Sequence, residues 1–248
     1  AVLAVDPSSS LSRGSIMGDK TRMENLSQQA SCYVRPSPSG GALGGVARKT
    51  RETMLVCEAA GFDVILVETV GVGQSESMVS TMVDFFLLLT LTGAGDELQN
   101  IKKGVIELAD AILINKADGD NKLAAQRVRS EFDQALHYLS SVTEGWETSA
   151  YCCSALTGEG IEEIWDVIQS FKQQTQLSGQ FQKRRQQQSL NWLDEMVIEQ
   201  IKTNFYGNPQ IQVIRDDIER KVSAGELPVT TAADLLLQKF YKSREGLE

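Results

Sequence analysis

Nearly continuous apolar runs alternate with helical patterns along the first part of the chain, and this alternation limits the possible folds more than any other feature. The clearest apolar runs are residues 62–69, 84–92 and 111–115, and shorter runs occupy 2–5, 32–35 and 149–154. Helical patterns separate them at 44–60, 76–82, 98–109 and 122–141. Apolar runs of this kind are typical of strands buried on both faces of a parallel sheet. The sequence therefore predicts an α/β fold with a doubly wound, mostly parallel sheet, whose ligand lies beyond the carboxyl ends of the strands.

The sequence changes character near residue 175. Eight of the sixteen residues from 173 to 188 are glutamine, and amphipathic patterns follow at 190–204, 210–224 and 230–242. Because no strand pattern occurs there, we predict two domains, residues 1–175 and an α-helical arm at 176–248. The arm either packs against the same sheet or buries an apolar stripe against a second copy of the chain.

Charge and metal-ligand content argue against several classes of function. The 24 lysines and arginines and 33 aspartates and glutamates give a formal charge of -9, which disfavours binding to nucleic acid or to an anionic membrane. The most apolar run, 85–91, is far shorter than the roughly 20 residues of a membrane span. One histidine, His137, and four cysteines without a C-x-x-C pair do not make a zinc site. We expect the cysteines to be reduced, packed thiols.

The segment NKAD, which directly follows the apolar run AILI, suits a guanine base. The Asp118 carboxylate can accept two hydrogen bonds, from the guanine N1–H and the exocyclic amine, a pair that adenine does not offer. Asn115 can tie the loop to its neighbours, and the Lys116 stem can lie over the base. After a later strand, Ser154 and Ala155 can present a backbone N–H to the guanine carbonyl. Taken alone, four such residues also fit an ordinary polar loop.

Carboxylates near the ends of other predicted strands suit a Mg²⁺–phosphate site. Glu68 lies near the end of the run 62–69, and Gly71 allows a backbone N–H to approach a γ-phosphate. Asp6 follows the first strand, and Asp19 lies in the next loop. The alternatives are a glycine-rich turn after Glu68 and a helix N-cap at Asp19.

Two further stretches bear on nucleotide chemistry. The glycine-rich segment 93–104 is either a capped helix start or a mobile switch that contacts a partner. The phosphate-binding motif G-x-x-x-x-G-K-[ST] does not occur in the 248 residues. Because a strand, this loop and a helix precede the next parallel strand by roughly 30 residues, we expect the motif just upstream of Ala1. An upstream segment could also carry a targeting signal.

The motifs VDPSS, GDKTRM, RPSPSGGALGG, ETVGVGQSE, NKADGD and SALTGEGI occur in this order, and the chain resembles the MeaB/ArgK-like GTPases from about residue 1 to 240. The resemblance implies a P-loop GTPase domain that binds GTP or GDP with Mg²⁺. It also implies a chaperone of adenosylcobalamin-dependent methylmalonyl-CoA mutase, which gates cofactor loading and protects the mutase. Family members are homodimers that associate through the C-terminal arm.

The resemblance also implies roles for individual positions. Asp6, Asp19 and Glu68 would be carboxylates of the Mg²⁺ site, and Gly71 would meet the γ-phosphate. Guanine would be bound by Asn115, Lys116 and Asp118, with support from Ser154 and Ala155. The switch toward the mutase would include Gly95, Asp96, Glu97, Gln99, Lys102 and Lys103. Asn100 stands where the family pattern has a glycine, a difference that would stiffen this switch.

Hydrolysis in this family would be a Mg²⁺-assisted attack of water on the γ-phosphate, with Gln74 as the candidate that orients the water. One alternative is a metallochaperone GTPase for a nickel hydrogenase or a urease, which the single histidine disfavours. Another is a non-catalytic fragment, because without the phosphate loop we expect the 248-residue chain not to hydrolyse GTP. The resemblance implies the mitochondrial matrix of a eukaryote or the cytoplasm of a bacterium.

Overall fold

The computed structural model of the protein describes residues 1–6, 23–38, 43–69, 75–92, 103–139 and 141–245. The chain forms two compact units, Ala1–Ser189 and Leu190–Glu248. The units therefore divide after Ser189, whereas the sequence placed a domain boundary after residue 175. The assignment of a nucleotide domain to 1–175 and of a dimerisation arm to 176–248 stays a prediction.

The first unit contains two three-stranded sheets in which every strand pair is parallel. One sheet has the order β2-β1-β3 and consists of β1 (Val2–Asp6), β2 (Val34–Pro38) and β3 (Leu66–Thr69). The other has the order β4-β5-β6 and consists of β4 (Leu87–Leu91), β5 (Ala111–Asn115) and β6 (Ala150–Cys152). Parallel strands with helices between them confirm the α/β fold that the sequence predicts.

Helices follow most of the strands. They are α1 (Glu24–Ser27), α2 (Leu43–Ala59), α3 (Ser75–Ser80), α4 (Lys103–Ile106), α5 (Lys122–Leu136) and α6 (Ile161–Ser178), then α7 (Gln180–Tyr206), α8 (Pro209–Ser223) and α9 (Val229–Glu245). Helix α6 is not among the helices predicted from the sequence. Its buried residues Ile164, Phe171 and Thr175 nevertheless have the spacing of one helical face.

Strand β5 is buried on both faces and is the centre of the first unit's core. Ile112 and Ile114 pack on one side in a cluster that includes Phe132 of α5. Leu113 belongs to a second cluster, with Ile164 of α6. Burial of each such side chain stabilises the fold by about 1.5–3 kcal/mol. The continuous apolar pattern of β5 thus reflects two-sided packing, and this packing fixes the point at which the strand ends.

Strands β3 and β4 begin later than predicted, at residues 66 and 87 rather than 62 and 84. The N–H of Phe62 donates to the carbonyl of Cys57 and closes the end of α2. The N–H of Phe86 donates to the Asp110 carboxylate at 2.9 Å, and the carbonyl of Phe86 accepts from the Asp110 N–H. Phe62 therefore belongs to the end of α2, while β3 begins where the N–H of Leu66 donates to the Ala1 carbonyl and β4 begins just after the paired bonds of Phe86.

Helix α5 ends at Leu136, before its predicted end at residue 141. The N–H groups of Tyr138 and Leu139 donate to carbonyls three residues earlier, which tightens the last turn. His137 follows the helix, is exposed, and packs edge-on against Tyr138 at 5.7 Å between ring centroids. Within the predicted helix 98–109, the described helical residues are Lys103–Ile106.

Each sheet has two outer strands among the described residues, β2 and β3 in one sheet and β4 and β6 in the other. Both β3 and β4 pair on one side only. Apolar side chains on these strands are exposed, Leu66 by 56% and Leu89 by 62%. Because parallel sheets are normally covered, each edge is a place where a further strand could pair.

A buried ion pair joins the first turns of α7, which belong to the first unit, to the residue before β5. Asp110, immediately before β5, is fully buried, and its carboxylate accepts from both terminal nitrogens of Arg184 at 2.9 Å. The same carboxylate accepts from Thr143 at 2.7 Å, and its backbone carbonyl accepts from Trp146 at 2.9 Å. Arg184 also donates to the carbonyl of Asp84 at 2.5 Å, so it connects the residues that precede β4 and β5 with the loop before β6.

The second unit is a helical assembly. Helices α8 and α9 pack together around buried Ile211, Ile218, Ala232 and Phe240. Asn208 caps α8 by accepting from the N–H of Gln210, and its amide donates to Ser243. No helix in the described part of the chain is long and apolar enough to cross a membrane.

The Arg184–Asp110 pair predicts a large loss of stability for Arg184→Gln, because the variant leaves a buried carboxylate without its counter-charge. We expect the free energy of unfolding to fall by about 3 kcal/mol, measured by urea denaturation. The matched control is Lys183→Gln, since Lys183 and its partner Glu144 are both largely exposed, at 3.7 Å. It should change stability by less than about 0.5 kcal/mol. Equal effects of the two variants would contradict a structural role for the buried pair.

Candidate functional site

The loops that follow β5 and β6 are joined by the side chain of Asn115. Its Oδ1 accepts from the N–H of Lys116 at 2.7 Å and from the N–H of Ala155 at 3.1 Å. Lys116 has a φ of 61°, a left-handed conformation that is uncommon outside glycine. Asn121 donates to the Lys116 carbonyl at 2.7 Å and so supports this conformation. The predicted tie between the two loops is thus made by one amide oxygen.

Ser154 connects the second loop to the carboxylate of the first. Its side chain is fully buried, and its hydroxyl donates to Asp118 Oδ2 at 2.5 Å while accepting from the N–H of Thr157 at 3.1 Å. Asp118 itself is half-buried. A carboxylate has about four acceptor positions, so the bond from Ser154 orients the group and leaves capacity for a ligand.

Backbone hydrogen bonds continue the β5–β6 pairing into these loops. The N–H of Cys153 donates to the Ile114 carbonyl at 2.8 Å, and the N–H of Ala117 donates to the Cys153 carbonyl at 2.9 Å. Ala117, Cys153 and Ser154 are all buried. The strand pairing therefore extends past the last strand residues and sets the separation of the two loops.

Two neighbouring thiols lie beneath the loops. Burial raises the pKa of both Cys152 and Cys153 above the ordinary thiol value, so both are protonated at neutral pH. Cys153 donates weakly to Asn115 Oδ1 at 3.5 Å, and Cys152 donates to the Ala125 carbonyl at 3.5 Å. All four cysteines of the chain are free, and Cys57 and Cys153 are buried.

The structure places two of the predicted metal carboxylates at one end of one sheet. Asp6 is the last residue of β1, and Glu68 is the next-to-last residue of the adjacent strand β3, where it is paired in register with Ala4. Asp19, Gly71 and Gln74 lie outside the described residues. In the part of the chain that the structure describes, no three His, Cys, Asp or Glu side chains are grouped to hold a metal. The Mg²⁺ site stays a prediction.

The predicted switch falls mostly outside the described residues. This is the case for Gly95, Asp96, Glu97, Gln99 and Lys102, and for Asn100. Lys103 is the first residue of α4. The role of this segment therefore also stays a prediction.

Sequence reasoning overlooked the turn that follows Ser154. Lys122 at the start of α5 forms an ion pair with Glu159 at 2.5 Å, which gives the two loops another connection. Gly160, at the start of α6, has a φ of 79°. The signal available in the sequence was the spacing Gly158-Glu159-Gly160 directly before a helical pattern.

The chain is similar to several known proteins. The sequence model of the family described as "Methylmalonyl Co-A mutase-associated GTPase MeaB" matches residues 1–210. A "Putative GTPase" of Caulobacter vibrioides is 51% identical over 240 residues, covering 97% of this chain and 73% of that protein. "GTPase ArgK" of Escherichia coli is 50% identical over 208 residues, covering 84% of this chain and 63% of that protein.

A mouse relative and a solved structure extend the comparison. The mouse protein named "Methylmalonic aciduria type A homolog, mitochondrial" is 48% identical over 244 residues, covering 98% of this chain and 59% of that protein. The crystal structure of an "LAO/AO transport system kinase" superposes with a TM-score of 0.71 at 37% identity, over 96% of this chain and 70% of that one. The predicted family resemblance is confirmed: this chain belongs to the MeaB family of GTPases.

Proposed function

We propose that this protein binds and hydrolyses GTP and acts as a chaperone of adenosylcobalamin-dependent methylmalonyl-CoA mutase. The observation that carries the proposed nucleotide binding is the connection between the loops after β5 and β6. Asn115 accepts a hydrogen bond from the N–H of Ala155, and the Ser154 hydroxyl donates one to Asp118. The family to which the chain belongs is described as mutase-associated, which supports the choice of partner.

Base selection in this proposal depends on Asp118. Its carboxylate, held by Ser154, accepts from the guanine N1–H and exocyclic amine, whereas adenine has no matching pair of donors. The exposed Lys116 can place its stem over the base. The N–H of Ala155 already donates to Asn115, so a guanine carbonyl would share this donor.

Phosphate chemistry in the proposal uses carboxylates at the end of the other sheet. Asp6 and Glu68, with Asp19, have the oxygen donors that Mg²⁺ prefers, and Asp6 and Glu68 lie toward the carboxyl ends of adjacent strands. Gly71 would approach the γ-phosphate and Gln74 would orient the attacking water. The metal would offset charge on the phosphates, while these residues position the reactants.

The proposed homodimer is supported by an apolar stripe on α7. Leu190, Leu193, Val197 and Ile201 recur at helical spacing and are each about half exposed. None of the 27 residues of α7 is buried within the chain. An exposed stripe of this length is typical of a helix that packs against a second copy.

Asp118→Asn tests base recognition. The amide cannot accept from both guanine donors, so we expect affinity for GDP to fall about 100-fold and affinity for xanthosine diphosphate to rise. Equilibrium binding with a fluorescent nucleotide measures both. Asp120→Asn is the matched control, because Asp120 is exposed only two residues away in the 3-10 turn Gly119–Asn121. If Asp118→Asn keeps wild-type guanine preference, the base-binding assignment is wrong.

Ile201→Glu tests the dimer. A charge in the middle of the stripe should dissociate the dimer, shifting its dissociation constant by about 100-fold or more, as measured by light scattering after gel filtration. Thr203→Glu adds the same charge on the opposite side of α7, where Thr203 is also exposed. In this control the mass measured by light scattering should remain that of the dimer. A dimer that persists in Ile201→Glu would rule out the stripe as the interface.

Coupling to the mutase tests the chaperone role. We expect added methylmalonyl-CoA mutase to increase GTP turnover by the protein about tenfold, because partner contacts stabilise the transition state in switch GTPases. Asp118→Asn should lose this response with GTP and regain it with xanthosine triphosphate. Turnover that is unchanged by the mutase would refute the choice of partner while leaving nucleotide binding intact.

A further inference from the structure

The turn that follows β6 closes on itself through backbone hydrogen bonds. The N–H of Ser154 donates to the Glu159 carbonyl at 2.9 Å, and the N–H of Gly158 donates to the Ser154 carbonyl at 2.8 Å. Thr157 contributes its side chain, whose Oγ1 accepts from the N–H of Glu159 at 3.3 Å. The position of Ser154 therefore depends on where Glu159 lies.

Gly160 sets how closely this turn approaches β6. Its φ of +79° is left-handed, and a Cβ at this position would lie 2.3 Å from the carbonyl oxygen of Cys152 and 3.1 Å from Cα of Cys153. Ordinary contacts begin at 3.4 Å, so a side chain requires a displacement of 1.1 Å (3.4 minus 2.3). The obstructing atoms belong to the backbone at the end of β6, which is fixed by its pairing to β5.

Gly158 provides a comparison within the same turn. Its φ is +82°, close to that of Gly160, yet a Cβ there would meet no atom within 4 Å. A left-handed alanine costs about the same at either position, roughly 1 kcal/mol. The two glycines thus differ in close approach to the strand and not in backbone strain.

We propose that Gly160 is a positioning residue for base selectivity. By allowing the turn to lie against the end of β6, it holds Glu159, and hence Ser154, where the Ser154 hydroxyl reaches Asp118. Displacement of the turn would move Ser154 and Ala155 away from Asp118 and Asn115 together. This inference rests on the proposed guanine binding and adds a residue that does not itself contact Asp118, Asn115 or the base.

The ion pair between Lys122 and Glu159 also helps to hold the turn in place. Lys122 is the first residue of α5, just after the loop that carries Asp118. Its 2.5 Å contact with Glu159 ties that loop to the turn. Because both side chains are about half exposed, the pair contributes little alone, and the backbone approach at Gly160 carries most of the positioning.

The test compares Gly160→Ala with Gly158→Ala in the protein. Affinities for GDP and for inosine diphosphate, which lacks the exocyclic amine, are measured by competition with a fluorescent nucleotide. In Gly160→Ala we expect GDP affinity to fall about tenfold and the preference for GDP over inosine diphosphate to shrink about fivefold. Gly158→Ala should keep the wild-type preference within about twofold.

The outcomes separate this inference from the proposed function. If the wild-type protein does not prefer GDP to inosine diphosphate, guanine recognition itself fails. If the wild type has the preference and Gly160→Ala keeps it, even with weaker binding of both nucleotides, Gly160 is only structural and the inference is overturned. If Gly160→Ala does not fold, Thr157→Val replaces it, since this exposed residue supports Glu159 through its hydroxyl. In Thr157→Val the preference for GDP over inosine diphosphate should shrink about twofold. An unchanged preference for GDP would overturn the inference.

Discussion

The burial of β5 on both faces is the constraint on which the rest of the first unit depends. Ile112 and Ile114 are enclosed on one side of the sheet and Leu113 on the other, so the strand has one register and one direction. The residues at its two ends are therefore held in defined positions. Asp110 precedes it and holds Arg184, while Asn115 ends it and holds the loop that contains Ala155.

The carboxylates near the two ends of β5 differ in how much hydrogen-bonding capacity remains for a ligand. The Asp110 carboxylate is fully buried and accepts from a backbone N–H, a threonine and an arginine, so its hydrogen-bonding capacity is used within the fold. Asp118 is half-buried and is oriented by Ser154. A similar side chain is therefore structural at one end of the strand and suited to a ligand at the other, which agrees with ligand sites beyond the carboxyl ends of parallel strands.

The sequence predicted those features that depend on local pattern. Strand β5 was predicted with its observed ends, because continuous apolar character and burial coincide there. The start of β4 was not predicted, since the hydrogen bond between Phe86 and Asp110 joins residues far apart in the sequence. The loops containing Asn115 and Ser154 were found because short motifs follow strands. The close approach of Gly160 to Cys152 was not predicted, because it depends on the path of the folded chain.

The central claim is that the two joined loops bind a guanine base through Asp118. A crystal structure of the protein with GDP and Mg²⁺ tests it most directly. The account predicts the base beside Lys116, with the Asp118 carboxylate within hydrogen-bond distance of N1 and the exocyclic amine and with the Ser154–Asp118 bond retained. A base bound elsewhere, or an Asp118 carboxylate turned away from it, would contradict the account.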